Sequence, residues 1–136
     1  MQSKNLRSLP YLVHTNRELG LMLAGTKPLA KFSYIDGHEV DCVMRYLRIF
    51  DRHVAAGRFT RREKVSTLYQ LNDRLYHQIF YTLPGQEWRV DAMLELFAMP
   101  GAWSNERERR LGTLLGYEEW QNDIWLSRHP VIGDKA

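Results

Sequence analysis

Apolar side chains recur along this chain at changing intervals, and the changes mark out its elements. Over 38–56, Val40, Val43, Leu47, Phe50 and Val54 return every three or four positions, the period of one helix face. Over 61–81 the same period collects Val65, Leu68, Tyr69, Asn72, Leu75, Tyr76, Ile79 and Phe80, which predicts a third helix there. That segment has a rival reading, a hairpin turning at Asn72-Asp73 with strands that end in the β-favouring run Ile79, Phe80, Tyr81. Helix is preferred over 61–75, while 76–83 also fits a strand. Asp36-Gly37 is a good hairpin turn too, the competitor to a helix over 38–56.

Start and stop signals frame these segments. Thr15, Asp36 and Thr60 each stand three residues before a glutamate (Glu18, Glu39, Glu63), the spacing of a capping box. Gly25, Gly57, Pro84-Gly85, Pro100-Gly101, Gly116 and Pro130 sit where helices can end. Together they predict helices at about 16–24, 38–56, 61–81, 86–99, 104–115 and 117–128. Segments 11–14 and 29–35 read as strands, and two strands alone would be marginal. With 76–83 added, a small sheet covered by helices results. The expected class is therefore α+β, helix-rich, with about six helices; a mainly helical bundle is the alternative. At 136 residues the chain reads as one domain with loosely held termini, including the tail 131–136.

Composition excludes several classes. Hydrophobic residues make up 44% and charged residues 26%, outside the disordered range. Cys42 is the only cysteine, so there is no internal disulfide and no cysteine-based zinc finger. No apolar run approaches the roughly 18 residues of a membrane span, and no secretory leader is evident at the start. A cytoplasmic protein with no membrane contact is expected.

Charge sharpens the picture. Arginine outnumbers lysine 14 to 5, and residues 1–64 carry +6 against −3 for 65–136. Seven basic residues lie between Arg45 and Lys64, with only Asp51 and Glu63 as acids. On a helix Arg45, Arg48 and Arg52 share a face opposite Leu47 and Phe50, with Arg58, Arg61 and Arg62 at the turn and helix start that follow. Guanidinium groups make planar, two-pronged contacts to carboxylates and phosphates. Cations in a first helical turn oppose the helix dipole, a cost that a recruited anion would offset. The competing reading is internal pairing or plain solvation. These six arginines point to an anionic protein as partner, with RNA or DNA as a further option weakened by the modest charge and the lack of a binding motif.

A second constellation lies at the predicted helix starts. Arg17 and Glu18, then Glu87, Trp88, Arg89 and Asp91, then Trp103 and Asn105 combine carboxylates, amides, arginine and aromatic rings. The run from Tyr117 through Trp120 and Asn122 to Asp123 has the same character. Convergence of these segments would build a small-ligand or active-site pocket. Ordinary capping explains the same residues. Glu87 and Asp91, four apart, fit a carboxylate pair. His38 and Cys42 share a helical face but lack the further ligands zinc needs, so Cys42 reads as a small core residue. No nucleophile elbow or phosphate loop occurs. The apolar C-terminal pair, with Leu111, Leu114, Leu115, Trp120, Ile124, Trp125 and Leu126, closes the core or forms a homodimer face. The leading expectation is a binding or regulatory protein, leaning away from catalysis, with no cofactor and no metal.

Overall fold

A computed structural model of the chain describes residues 9–132. It is an α+β structure with five helices and one three-stranded antiparallel sheet among the described residues. In chain order these are α1 (Glu18–Leu23), β1 (Leu29–Ile35), α2 (Asp41–Ala55), β2 (Thr60–Leu68), β3 (Arg74–Thr82), α3 (Trp88–Ala98), α4 (Asn105–Leu114) and α5 (Glu119–Arg128). A 3₁₀ turn, Tyr69–Leu71, lies at the tip of the β2–β3 hairpin. The expected loose ends fall largely on 1–8 and 133–136, outside the described residues.

β3 is the central strand, with β1 and β2 on either side of it. The registers pair Phe32 with Ile79 and Arg62 with Phe80. Because successive side chains of a strand point to opposite faces, β3 splits its apolar run in two. Ile79 and Tyr81 join Ala30, Met22, Leu47, Phe50 and Phe59 in one cluster beneath α1 and α2. Phe80 joins Leu29, Val90, Met93, Leu96 and Leu114 in a second, beneath α3 and α4. The sheet is thus sandwiched between two helical layers, and the end of β3 is buried on both faces.

This double burial explains the principal correction. The helix expected over 61–81 is the hairpin that was its rival, with Asn72 and Asp73 both in the left-handed region at φ 55° and 60°. Asparagine and aspartate tolerate that conformation, and here they close the loop that follows the 3₁₀ turn and leads into β3. A strand covered on both sides reads as a continuous apolar run, which periodicity alone cannot separate from a helix. The apolar residues nearer the tip that completed the helical pattern, Val65, Tyr69 and Leu75, are exposed.

Other expectations divide. The strand over 29–35 is present, and the helix expected over 38–56 forms over Asp41–Ala55. Segment 11–14 forms no ladder; instead the His14 backbone N–H donates to the Tyr117 hydroxyl at 2.8 Å. None of the three expected capping boxes forms: Arg17 and Val40 occupy the N-cap positions of α1 and α2, and Thr60 begins a strand. The capping box that does form joins Glu118 and Gln121 at α5. Ser104 caps α4 by accepting from the Arg107 N–H. Cys42 is exposed, not a core residue. Among the described residues no helix is long and apolar enough to cross a membrane.

Candidate functional site

α2 is strongly amphipathic. Leu47 and Phe50 are buried, Val43, Met44 and Val54 pack beside them, and Arg45, Arg48 and Arg52 stand exposed. Asp41 in the first turn and Arg52 in the last both suit the helix dipole. Arg58 follows the helix and reaches back to His53, its Nη1 lying 3.4 Å from Nδ1. Four of the six arginines are therefore held on α2 or at its C-terminal end.

Arg61 and Arg62 leave that group. They are neighbours on an edge strand, so they project from opposite faces of the sheet. Arg61 faces α2, its Nε 3.1 Å from Asp51 Oδ1 and its Nη1 3.3 Å from Glu63 Oε1. Arg62 faces α3 and donates to Asp91 at 2.6 Å. Neither lies in a first helical turn, so the electrostatic cost expected there does not arise. Charged side chains on an edge strand also oppose sheet-to-sheet pairing with other molecules.

Arg61 belongs to a chain of polar contacts that crosses the sheet. The Tyr81 hydroxyl donates to Asp51 at 2.7 Å, Asp51 and Glu63 hold Arg61, and Glu63 Oε2 lies 2.7 Å from His77 Nδ1. His77 Nε2 is 2.8 Å from Asp36 Oδ1, and the ring stacks on Tyr34 at 4.4 Å. With a carboxylate at each nitrogen, both nitrogens donate, which requires the imidazolium. The hydrogen bond to Glu63, aided by Asp36, holds the His77 pKa above 6.5, and the same bond holds Glu63 below its ordinary value.

This arrangement clamps β2 and β3 to the end of β1. The raised His77 value contributes stability that is complete below pH 6.5 and is lost as pH rises through the folded value. Glu63 acts in the opposite sense, its contribution falling away only as pH drops through its depressed value. His77→Gln is therefore expected to cost about 1 kcal/mol at mildly acidic pH, a figure kept small because Asp36 is half exposed. Urea unfolding should show that difference shrinking as pH is raised well above 7.

The residues of the expected pocket are held by separate local contacts. Arg17 donates to the Val13 carbonyl at 3.1 Å. Glu18 starts α1 and has a buried Oε1 with no hydrogen-bond partner. Glu87 is exposed at the N-cap of α3, and the exposed Trp88 carries the Arg89 guanidinium 4.7 Å from its ring centre. Arg89 also ties α3 to the end of α4, donating to Gln86 and to the Thr113 and Leu114 carbonyls, and burial lowers its pKa. Asp91 is paired with Arg62 across the sheet edge. Trp103 donates to Glu108 at 2.8 Å, and Asn105 accepts from the Val131 N–H at 2.8 Å.

Two groupings escaped the sequence reading. Lys27 is 2% exposed, with its Nζ 2.8 Å from both His14 Nδ1 and the Leu115 carbonyl. Burial lowers Lys27 to about 8, while burial and then the Lys27 charge lower His14 to about 4. Nothing near Lys27 in sequence announces this, because its partners come from residues 14 and 115. The other grouping is a cavity lined by Tyr11, Glu108, Tyr117 and Trp125. Its one advance signal was the polar and aromatic run that begins at Tyr117. Among the described residues no set of three His, Cys, Asp or Glu side chains is placed to hold a metal. No protein-family model, curated protein or solved structure matches this chain.

Proposed function

We propose that this is a small cytoplasmic binding or regulatory protein that docks an anionic protein partner on the outer face of α2. The observation that carries the reading is a contrast among arginines. Arg17, Arg58, Arg61, Arg62, Arg74, Arg89, Arg107, Arg109 and Arg110 each reach an acceptor within the fold, and Arg128 has an interaction of its own. Arg45, Arg48 and Arg52 have none among the described residues. They form a row about 10 Å long at 1.5 Å per residue, and an acidic helix face with the same spacing complements it.

A nucleic acid fits less well. Arg61 and Arg62 are spent on carboxylates and point away from one another, so the row ends after three or four charges. Such a row neutralises few phosphates, and affinity for nucleic acid scales with that number.

Reversing Arg48 and Arg52 to glutamate tests the proposal. Both sites are exposed, so thermal unfolding should stay within about 0.5 kcal/mol of the parent. Proteins cross-linked to the parent at low salt, and retained after nuclease treatment, should be lost from the double variant. Lys64→Glu, an exposed reversal on β2, should keep them. An identical set of bound proteins on all three chains would refute the α2 face as a docking surface, and loss on nuclease treatment would favour nucleic acid.

A further inference from the structure

We infer that the cavity between the N-terminal segment, α4 and α5 is a binding site for an organic cation, an amine carrying an apolar or aromatic body. The cavity has a volume of about 500 Å³, within the range of small-ligand sites. Its walls are mostly apolar and aromatic: Tyr11 from the N-terminal segment, Leu111 from α4 and Leu115 at its C-cap, Tyr117 from the loop, and Trp125 from α5. Tyr11 meets Tyr117 edge to face, with ring centres 6.0 Å apart, and His14 stacks behind Tyr117 at 3.8 Å. Where an aromatic wall turns its ring face to the chamber, it offers electron-rich surface to a positive charge.

Among the described residues Glu108 is the single charged side chain in the lining. Its Oε1 accepts from the Trp103 indole at 2.8 Å and its Oε2 from the Trp125 indole at 3.1 Å. Two rigid donors therefore fix the plane of the carboxylate. A carboxylate offers about four acceptor sites, so each oxygen keeps capacity for another donor. Among the described residues neither oxygen is paired with a cation. The arginines on either side of Glu108 in the helix are committed elsewhere, Arg107 to the Met99, Pro100 and Gly101 carbonyls and Arg109 to Glu119 and Asp123 on α5. The result is an oriented negative charge at the wall of an aromatic chamber, which suits an ammonium group with an apolar remainder and disfavours a carboxylate ligand.

The test uses phenethylammonium, with 3-phenylpropanol as a neutral analogue of similar length and 3-phenylpropionate as the anion. Binding is followed by tryptophan fluorescence and by the Trp125 indole N–H resonance. The ammonium should shift that resonance saturably, bind about tenfold more tightly than the alcohol, and leave the anion without effect. Glu108→Gln should bring the ammonium down to the affinity of the alcohol. Leu111→Trp should fill the chamber and abolish binding of both while Glu108 stays intact, which keeps the test decisive if the Glu108 variant folds poorly. The proposal is overturned if the alcohol or the anion binds as well as the ammonium. It is equally overturned if the folded Glu108→Gln variant binds the ammonium unchanged, or if no saturation occurs at millimolar ligand.

Discussion

Lys27→Ala should destabilise the protein by about 2–4 kcal/mol, from an unmade hydrogen-bond pair and a new cavity together. Lys27 is almost fully buried where β1 begins, and its ammonium joins the Leu115 carbonyl at the C-cap of α4 to His14 in the N-terminal segment. A cation at a helix C-terminus is favourable, but burying it is not. The net result is the depressed pKa of about 8, with Glu18 partly countering the loss of water. Between pH 8 and the unfolded value of 10.5 the unfolded chain holds the extra proton, so stability rises with pH across that window. Urea unfolding at several pH values should show this rise in the parent and its absence in Lys27→Ala. Lys27→Met, which keeps most of the volume and removes the buried charge, should fall between the two. A Lys27→Ala variant as stable as the parent would mean that the pin contributes nothing. His14 has the same sign at lower pH: its value of about 4 implies that stability declines as pH falls from 6.5 towards 4.

How much of this was legible in the sequence depends on how far each determinant reaches. The strand at 29–35 and the helix over 38–56 were readable because each shows its own period locally, and α2 carries its arginines opposite its buried Leu47 and Phe50 as that period requires. Segment 61–75 was misread because Val65, Tyr69 and Leu75 completed a helical stripe that the fold leaves in solvent. The turn at Asn72 and Asp73, a two-residue signal, outweighed a period summed over twenty residues once β3 found β1 as a second partner. The fate of the arginines was partly hidden for a related reason. Asp91 lies 29 positions from Arg62, and no spacing rule connects them. The contacts of the expected pocket residues were hidden in the same way: Trp103 meets Glu108 and Asn105 meets Val131, pairings that no local motif announces. The cavity beneath Tyr11 joins the N-terminal segment to α4 and α5, which lie at the far end of the described chain.

The second large effect is expected at Gly116. α4 ends in a Schellman arrangement, the Tyr117 N–H donating to the Gly112 carbonyl at 2.9 Å and the Gly116 N–H to the Thr113 carbonyl at 3.1 Å. Gly116 has φ 103°, and a Cβ added there would lie 2.6 Å from Pro28 Cδ. The proline ring cannot yield easily, because the Pro28 carbonyl accepts from the Leu83 N–H at 3.1 Å and Leu29 next to it is wholly buried. Gly116→Ala thus combines backbone strain with overpacking, roughly 2–5 kcal/mol in all. Gly57→Ala provides the comparison: φ is 80° there, but nothing lies within 4 Å of the added carbon, so only the left-handed penalty of about 1–2 kcal/mol applies. Equal losses in the two variants would show that the junction is not tight. Pro28 follows Lys27, and Leu115 precedes Gly116, so both large effects act on one contact between the sheet and the C-terminal helices. Combining Lys27→Ala with Gly116→Ala should therefore cost less than the two separate losses together, because the first change already releases the docking that the second disturbs.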